Sequence, residues 1–289
     1  MANIKDLKKQ IKSTKGTLKI TSAMKLVSAA KLSKAQQAIT GARPYADELE
    51  ETIKTVGALV QNYEHSYLKT NDENKQTILL VISANKGLCG GYNSVLAKEV
   101  RRFLVETELD VKVSFIGKKV KEIIGTEVNM GEFYTFEKTD PNFAELQEVG
   151  NKLATLFTTG EIGRILIAYN SFNSAISFDS TVKQVLPLSL DENAKAKVTE
   201  QFPFDFKYDP NAEEILDTLI PETYVSTLWT CLLNAVAAEH GSRMSSMDNA
   251  VSNCKEAIKT QTLKMNKLRQ AAITTELIEV VSGAESLKG

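Results

Sequence analysis

MSSMDNAVSNCKEAIKTQTLKMNKLRQAAITT, residues 244–275, decides the fold. One apolar series runs Met244, Val251, Ile258, Met265, Ala272, and a second runs Met247, Cys254, Gln261, Leu268, Thr275. The steps alternate three and four, the a/d pattern of a coiled-coil seam rather than the wider stripe of an ordinary surface helix. The seam is soft: Met, Cys, Ala and Thr stand where Leu and Ile are usual, and Gln261 is polar. No proline follows Pro221. Counted from near Glu213, the helix would hold about 75 residues and extend about 110 Å. A compact chain of 289 residues is only about 50 Å across. The helix is therefore expected to protrude and to need a partner along most of its length.

The other end of the chain supplies one. Residues 3–63 read as a second long helix with apolar positions Ile4, Leu7, Ile11, Leu18, Met24 and Val27, then Ala42, Ala46, Leu49, Ile53, Val56 and Val60. Gly16 and Gly41 weaken it by about 1 kcal/mol each, and Pro44 is expected to kink or break it. The simplest arrangement pairs the two helices antiparallel, 1–63 against 210–289, with residues 76–208 as a domain at one end.

Between them the period changes. Residues 77–83 (TILLVIS) form a continuous β-branched apolar run, as in a buried parallel strand. Helix patterns at 93–106, 118–124 and 142–157 alternate with strand patterns at 111–117 and 163–170. That alternation predicts a Rossmann-like α/β domain with a mainly parallel sheet. Residues 181–188 and 204–208 read as edge strands, confined there by Pro187 and Pro203.

Composition narrows the class. Hydrophobic residues make up 43% of the chain and charged residues 25%, a globular balance. No run suits a membrane span, and the first residues lack the apolar core of a secretory signal. Three scattered cysteines argue for a reducing compartment, and two histidines offer no metal cluster. Net charge is −1, but Lys5, Lys8, Lys9, Lys12, Lys15, Lys19, Lys25, Lys31 and Lys34 precede Thr40 with a single acid, Asp6. A basic end on a neutral chain fits an acidic protein partner, nucleic acid or a merely solvated face.

GLCGGYN, residues 87–93, sits between the first strand and its helix, where open α/β sheets bind phosphates. It matches neither glycine fingerprint for nucleotides. Gly87-x-Cys89-x-Gly91 imitates a nucleophile elbow, but His240, the one later histidine, lies on the C-terminal helix. The remaining reading is a tight turn packed against another element. Stacking on single-stranded nucleic acid is unsupported, because no aromatic residue precedes Tyr45.

ITTELIEVVSGAES (273–286), ITSAMKLVSAAK (20–31), EHGSRMSSMDNAVSN (239–253) and KGLCGGYN (86–93) together resemble, in order, the motifs of the gamma subunit of F-type ATP synthases. Ala84-Asn85 departs from the Ser-Asp expected there. The resemblance implies a central stalk whose coil turns inside a hexamer of alpha and beta subunits. Its α/β domain would stand, with the epsilon subunit, on the membrane ring of c subunits. The chain would be present in one copy, catalyse nothing and bind no cofactor or metal; Mg-ATP and ADP would sit on alpha and beta. Contacts to beta are carried over to Met24, Arg269, Gln270, Thr274 and Glu276, with Met244, Met247, Val251, Cys254, Ile258, Met265 and Leu268 as coil packing. The missing regulatory cysteine pair implies no thiol switch. The missing organellar leader implies a peripheral protein on the cytoplasmic face of a bacterial plasma membrane. The competing readings are a coiled-coil adaptor for acidic proteins or nucleic acid, and a thiol hydrolase built on Cys89.

Overall fold

The computed structural model describes residues 4–60, 63–69, 74, 76–136, 142–188 and 207–286. In chain order these hold α1 (Ile4–Leu59), β1 (Gln76–Ile82), α2 (Tyr92–Glu106), β2 (Asp110–Ile116), α3 (Lys118–Ile124), β3 (Met130–Tyr134), α4 (Phe143–Thr158), β4 (Arg164–Ser174), β5 (Ser177–Leu186) and α5 (Ala212–Ser286). Two compact units result, Met1–Ser28 with Met244–Gly289 and Ala29–Arg243, so the division cuts both long helices.

The larger unit, Ala29–Arg243, carries a sheet in the order β3-β2-β1-β4-β5. β1 runs parallel to β2 and β4, β2 runs parallel to β3, and β5 alone is antiparallel, on β4. Six of the seven β1 residues are buried, which is why its sequence is apolar without alternation. Ile78, Leu80, Ile82, Ile165 and Ile167 face α4 and the stretch of α5 from Tyr224 to Ala235. Leu79, Val81, Val113, Phe115 and Ala168 face α2 and α3. β3 (MGEFY) is an edge strand that the sequence reading missed; its residues are exposed or half-buried and lack a β-branched run. Of the edge strand expected at 204–208, residues 204–206 lie outside the described residues, while Lys207 and Tyr208 are in no strand.

Within the same unit α1 packs on α5. Ile53 and Val56 meet Leu216 and Ile220, and Tyr45 Oη donates to Glu222 Oε2 at 2.8 Å. Rising α1 numbers pair with falling α5 numbers, so the helices are antiparallel. Leu32, Ala35, Ile39, Ala42, Ala46, Leu49, Ile53 and Val56 are buried or half-buried in steps of three and four. Pro44 does not break α1. It lies on the exposed face, while Ala42 and Ala46 on either side hold the seam, so tertiary pairing outweighs the lost backbone bond.

In the smaller unit the same steps continue through Ile4, Leu7, Ile11, Thr14, Leu18, Thr21, Lys25 and Ser28, all buried or half-buried. Here the sequence reading needs correction. It placed Val27 on the seam, but Val27 is exposed and the seam passes through Thr21, Lys25 and Ser28. Those residues are polar, so apolar periodicity could not reveal them. Lys25 fits by laying its stem along the seam while its ammonium reaches Asp248 at 2.5 Å. On α5, Met247 and Val251 are buried, and Met244, Cys254, Ile258, Gln261, Met265, Leu268 and Ala272 are half-buried. Thr275 is exposed, so the seam ends at Ala272 rather than Thr275. Gln261 Oε1 is buried without a hydrogen-bond partner among the described residues.

Candidate partner-binding surface

Beyond Ala272, α5 is covered by nothing among the described residues. Leu277, Ile278, Val280 and Val281 are each at least 60% exposed, and Ile273 nearly half. Ile273, Leu277, Val280 and Val281 stand at i, i+4, i+7 and i+8, an amphipathic stripe without its core. An exposed apolar patch of this kind marks an interaction surface. Arg269, Gln270, Thr274 and Glu276 are exposed on the same turns, and Thr274 Oγ1 donates to the Gln270 carbonyl at 3.0 Å.

Met24 lies elsewhere. It is half-buried next to Lys25, at the level of Asp248. From Asp248 to Arg269 is about 30 Å along the helix. The structure therefore does not bring Met24 together with the residues around Arg269. Between the two levels the outer faces are cationic: Lys5, Lys8, Lys9, Lys12, Lys15 and Lys19 on α1, and Lys255, Lys259, Lys264 and Lys267 on α5, are all exposed. Such a field attracts an acidic partner.

The glycine loop after β1 has a different job. Leu88 and Gly90 both adopt the left-handed conformation, φ 60° and 57°, which turns the backbone so that its carbonyls face α5. Arg243 donates from Nη2 to the Lys86 carbonyl (3.1 Å) and from Nε to the Gly87 carbonyl (3.3 Å), and Ser242 Oγ donates to the Cys89 carbonyl at 2.6 Å. A phosphate cradle needs N–H groups pointing inward; this loop presents oxygens and has the wrong polarity for an anion. Arg243 also pairs with Glu239 at 2.7 Å, and both side chains are largely buried. Burial pushes the Glu239 carboxyl up, against the pull of Arg243. Gly241 lets α5 approach the β4–β5 turn; a Cβ there would lie 3.0 Å from the Ala175 carbonyl oxygen.

Cys89 is not an activated nucleophile. It is buried, and burial raises the thiol above its ordinary range, whereas reactive cysteines are partly exposed with a depressed pKa. Its sulfur accepts from Asn93 Nδ2 at 3.1 Å, while His240 Nδ1 sits 3.3 Å from Arg243 Nη1. Sequence reasoning missed the Glu239–Arg243 clasp. Its one signal was an i, i+4 opposite-charge pair on a helix with apolar surroundings.

Among the described residues no group of His, Cys, Asp and Glu could hold a metal ion, and no helix is long and apolar enough to cross a membrane. Residues 3–287 match the family described as ATP synthase. The chain is 36% identical to the ATP synthase gamma chain of Geobacter metallireducens over 292 residues and 37% identical to that of Geotalea daltonii over 294. Each match covers 100% of both chains. Among solved structures it resembles a chain of the Tetrahymena thermophila mitochondrial ATP synthase central stalk and c-ring (TM-score 0.60, 24% identity, 80% of this chain and 99% of that one). It also resembles a chain of the Euglena gracilis mitochondrial enzyme (TM-score 0.70, 19% identity, 98% and 94%). At these identities the structural matches speak for the fold, and the full-length sequence matches carry the assignment. The chain belongs to the ATP synthase gamma chain family, the non-catalytic central-stalk subunit of F-type ATP synthase, which binds no cofactor itself.

Proposed function

We propose that the paired helices turn inside a hexamer of alpha and beta subunits and transmit proton flow through a membrane c-ring to the catalytic sites on beta. The bare apolar end of α5 carries this reading: a stripe with no partner among the described residues is suited to enclosure by another chain. The solved central stalk of Tetrahymena, to which the fold is similar, was determined with its c-ring and supports the lower attachment. Rotation would favour each beta site's affinity states in turn, so the coupling is a differential binding free energy.

On this reading residues 1–63 and 210–289 form the shaft, and residues 76–208, with an epsilon subunit, rest on the ring. Arg269, Gln270, Thr274 and Glu276 contact beta near the end of α5, and Met24 makes a separate contact about 30 Å away. The complex would stand on the cytoplasmic face of a bacterial plasma membrane.

The test replaces Leu277, Val280 and Val281 together by Gln. Because these residues are exposed, stability of the isolated chain is expected to stay within about 0.5 kcal/mol per site. In vesicles carrying the reconstituted complex, ATP-driven proton pumping should fall several-fold further than ATP hydrolysis. Equal loss of both activities, or no loss, would remove the end of α5 from the coupling path. A companion variant, Cys89→Ser, should leave ATPase of the complex within about twofold, since a small buried group is exchanged for a near-isostere with Asn93 beside it. A collapse of turnover in a folded Cys89→Ser complex would restore the thiol chemistry.

A further inference from the structure

A cavity of about 540 Å³ opens between α1, α4 and α5 within the larger unit, and the stalk function makes no use of it. Its size is that of a small-molecule site. Three aromatic side chains line it. Phe143 and Trp229 meet edge to face, centroids 5.4 Å apart at 85°, and Tyr45 lies on the α1 wall. Glu222 supplies a carboxylate; Tyr45 donates to its Oε2 at 2.8 Å. No lysine or arginine lines the cavity, and among the described residues Glu222 has no cationic partner. Gln147 and Asn151 add neutral polar groups from α4.

Aromatic faces attract cations through their quadrupole, and an adjacent carboxylate adds a full charge of the right sign. Glu222 is exposed, so solvent partly screens its charge; it still repels an anion and attracts a cation, and a neutral apolar ligand gains nothing from it. We propose that this cavity is a binding site for a small organic cation with an apolar body, the cation against Tyr45 and Glu222 and the body against Phe143 and Trp229. Glu222 already accepts from Tyr45 through Oε2, and its second oxygen, Oε1, makes no hydrogen bond to the described residues. Phe143, Gln147 and Asn151 are spaced i, i+4 and i+8, so one face of α4 supplies both apolar and polar contacts.

Trp229 is the chain's single tryptophan, and its fluorescence reports occupancy without a label. The full chain is titrated with benzyltrimethylammonium, and in parallel with 2,2-dimethyl-3-phenylpropan-1-ol, an uncharged compound of similar size. The expected result is a saturable change in Trp229 emission, with the cation bound at least about fivefold more tightly than the alcohol. Glu222→Gln, at an exposed position, should abolish that preference while leaving alcohol binding unchanged. Phe143→Leu, which removes one aromatic wall for the apolar body, should weaken both compounds by about fivefold, with the thermal melt confirming an intact fold. No saturable change with the cation, equal affinity for the two compounds, or a preference that survives Glu222→Gln would each overturn the proposal.

Discussion

Arg243→Met is expected to destabilise the larger unit by about 3–5 kcal/mol, the cost of leaving a buried charge and its acceptors without a partner. The guanidinium serves Glu239 Oε1 and the carbonyls of Lys86 and Gly87 at once, with His240 Nδ1 3.3 Å from its Nη1. Methionine fills similar volume and satisfies none of them. Lysine would satisfy one or two, lacking the planar fork, so Arg243→Lys should fall between. The pH dependence has a definite sign. Burial raises the Glu239 carboxyl in the folded protein. A carboxyl raised on folding binds its proton more tightly in the native state, so its contribution to stability falls as pH rises from the ordinary carboxylate range through the folded value. Removing Arg243 raises it further. The destabilisation should therefore be smaller at pH 5 than at pH 8, read by urea unfolding followed at Trp229. A loss below about 1 kcal/mol, or the opposite pH trend, would show that the clasp does not hold the loop to the helix.

Gly117→Ala should cost still more of the stability margin, about 4 kcal/mol or more, since backbone strain and overpacking add. Gly117 joins β2 to α3 at φ 89°, ψ 151°, a region essentially closed to other residues. A Cβ there would also lie 2.0 Å from the Ser83 carbonyl oxygen, and backbone cannot yield as a flexible side chain can. Ser83 N–H donates to the Ile116 carbonyl at 2.8 Å, so any shift disrupts the junction of β1 with β2. With total stability of roughly 5–15 kcal/mol for a domain, the variant is expected to be largely insoluble or to melt far below the parent. A Gly117→Ala protein with an unchanged melting temperature would contradict this backbone geometry.

How much was legible in the sequence depended on whether a position was chosen by burial or by a partner. β1 could be read because both its faces are covered, and so could α3 and the strands beside them. The α5 seam could be read from residue 244 to 272 because all its positions but Gln261 are apolar. The α1 seam was half hidden, since Thr21, Lys25 and Ser28 keep the heptad spacing with polar side chains. Pro44 misled because a local penalty is small beside a long paired interface. β3 was missed because an edge strand buries little. The Arg243 clasp could not be found from spacing, because two of its acceptors are backbone carbonyls more than 150 residues away. The residues proposed to touch beta came from family resemblance alone; in the structure Arg269, Gln270, Thr274 and Glu276 are exposed on α5 and Met24 is half-buried on α1.

Rotation is the central claim, and it can be observed directly. Ile176, at the tip of the β4–β5 turn and 82% exposed, offers a place for a single cysteine carrying a bead, with the alpha and beta subunits fixed to a surface. Cys89 and Cys231 are buried and so shielded from the label, while half-buried Cys254 is replaced by serine. Addition of Mg-ATP should drive continuous rotation of the bead in one direction, stopping when ATP is removed. ATP hydrolysis by the assembly with a stationary bead would contradict the account.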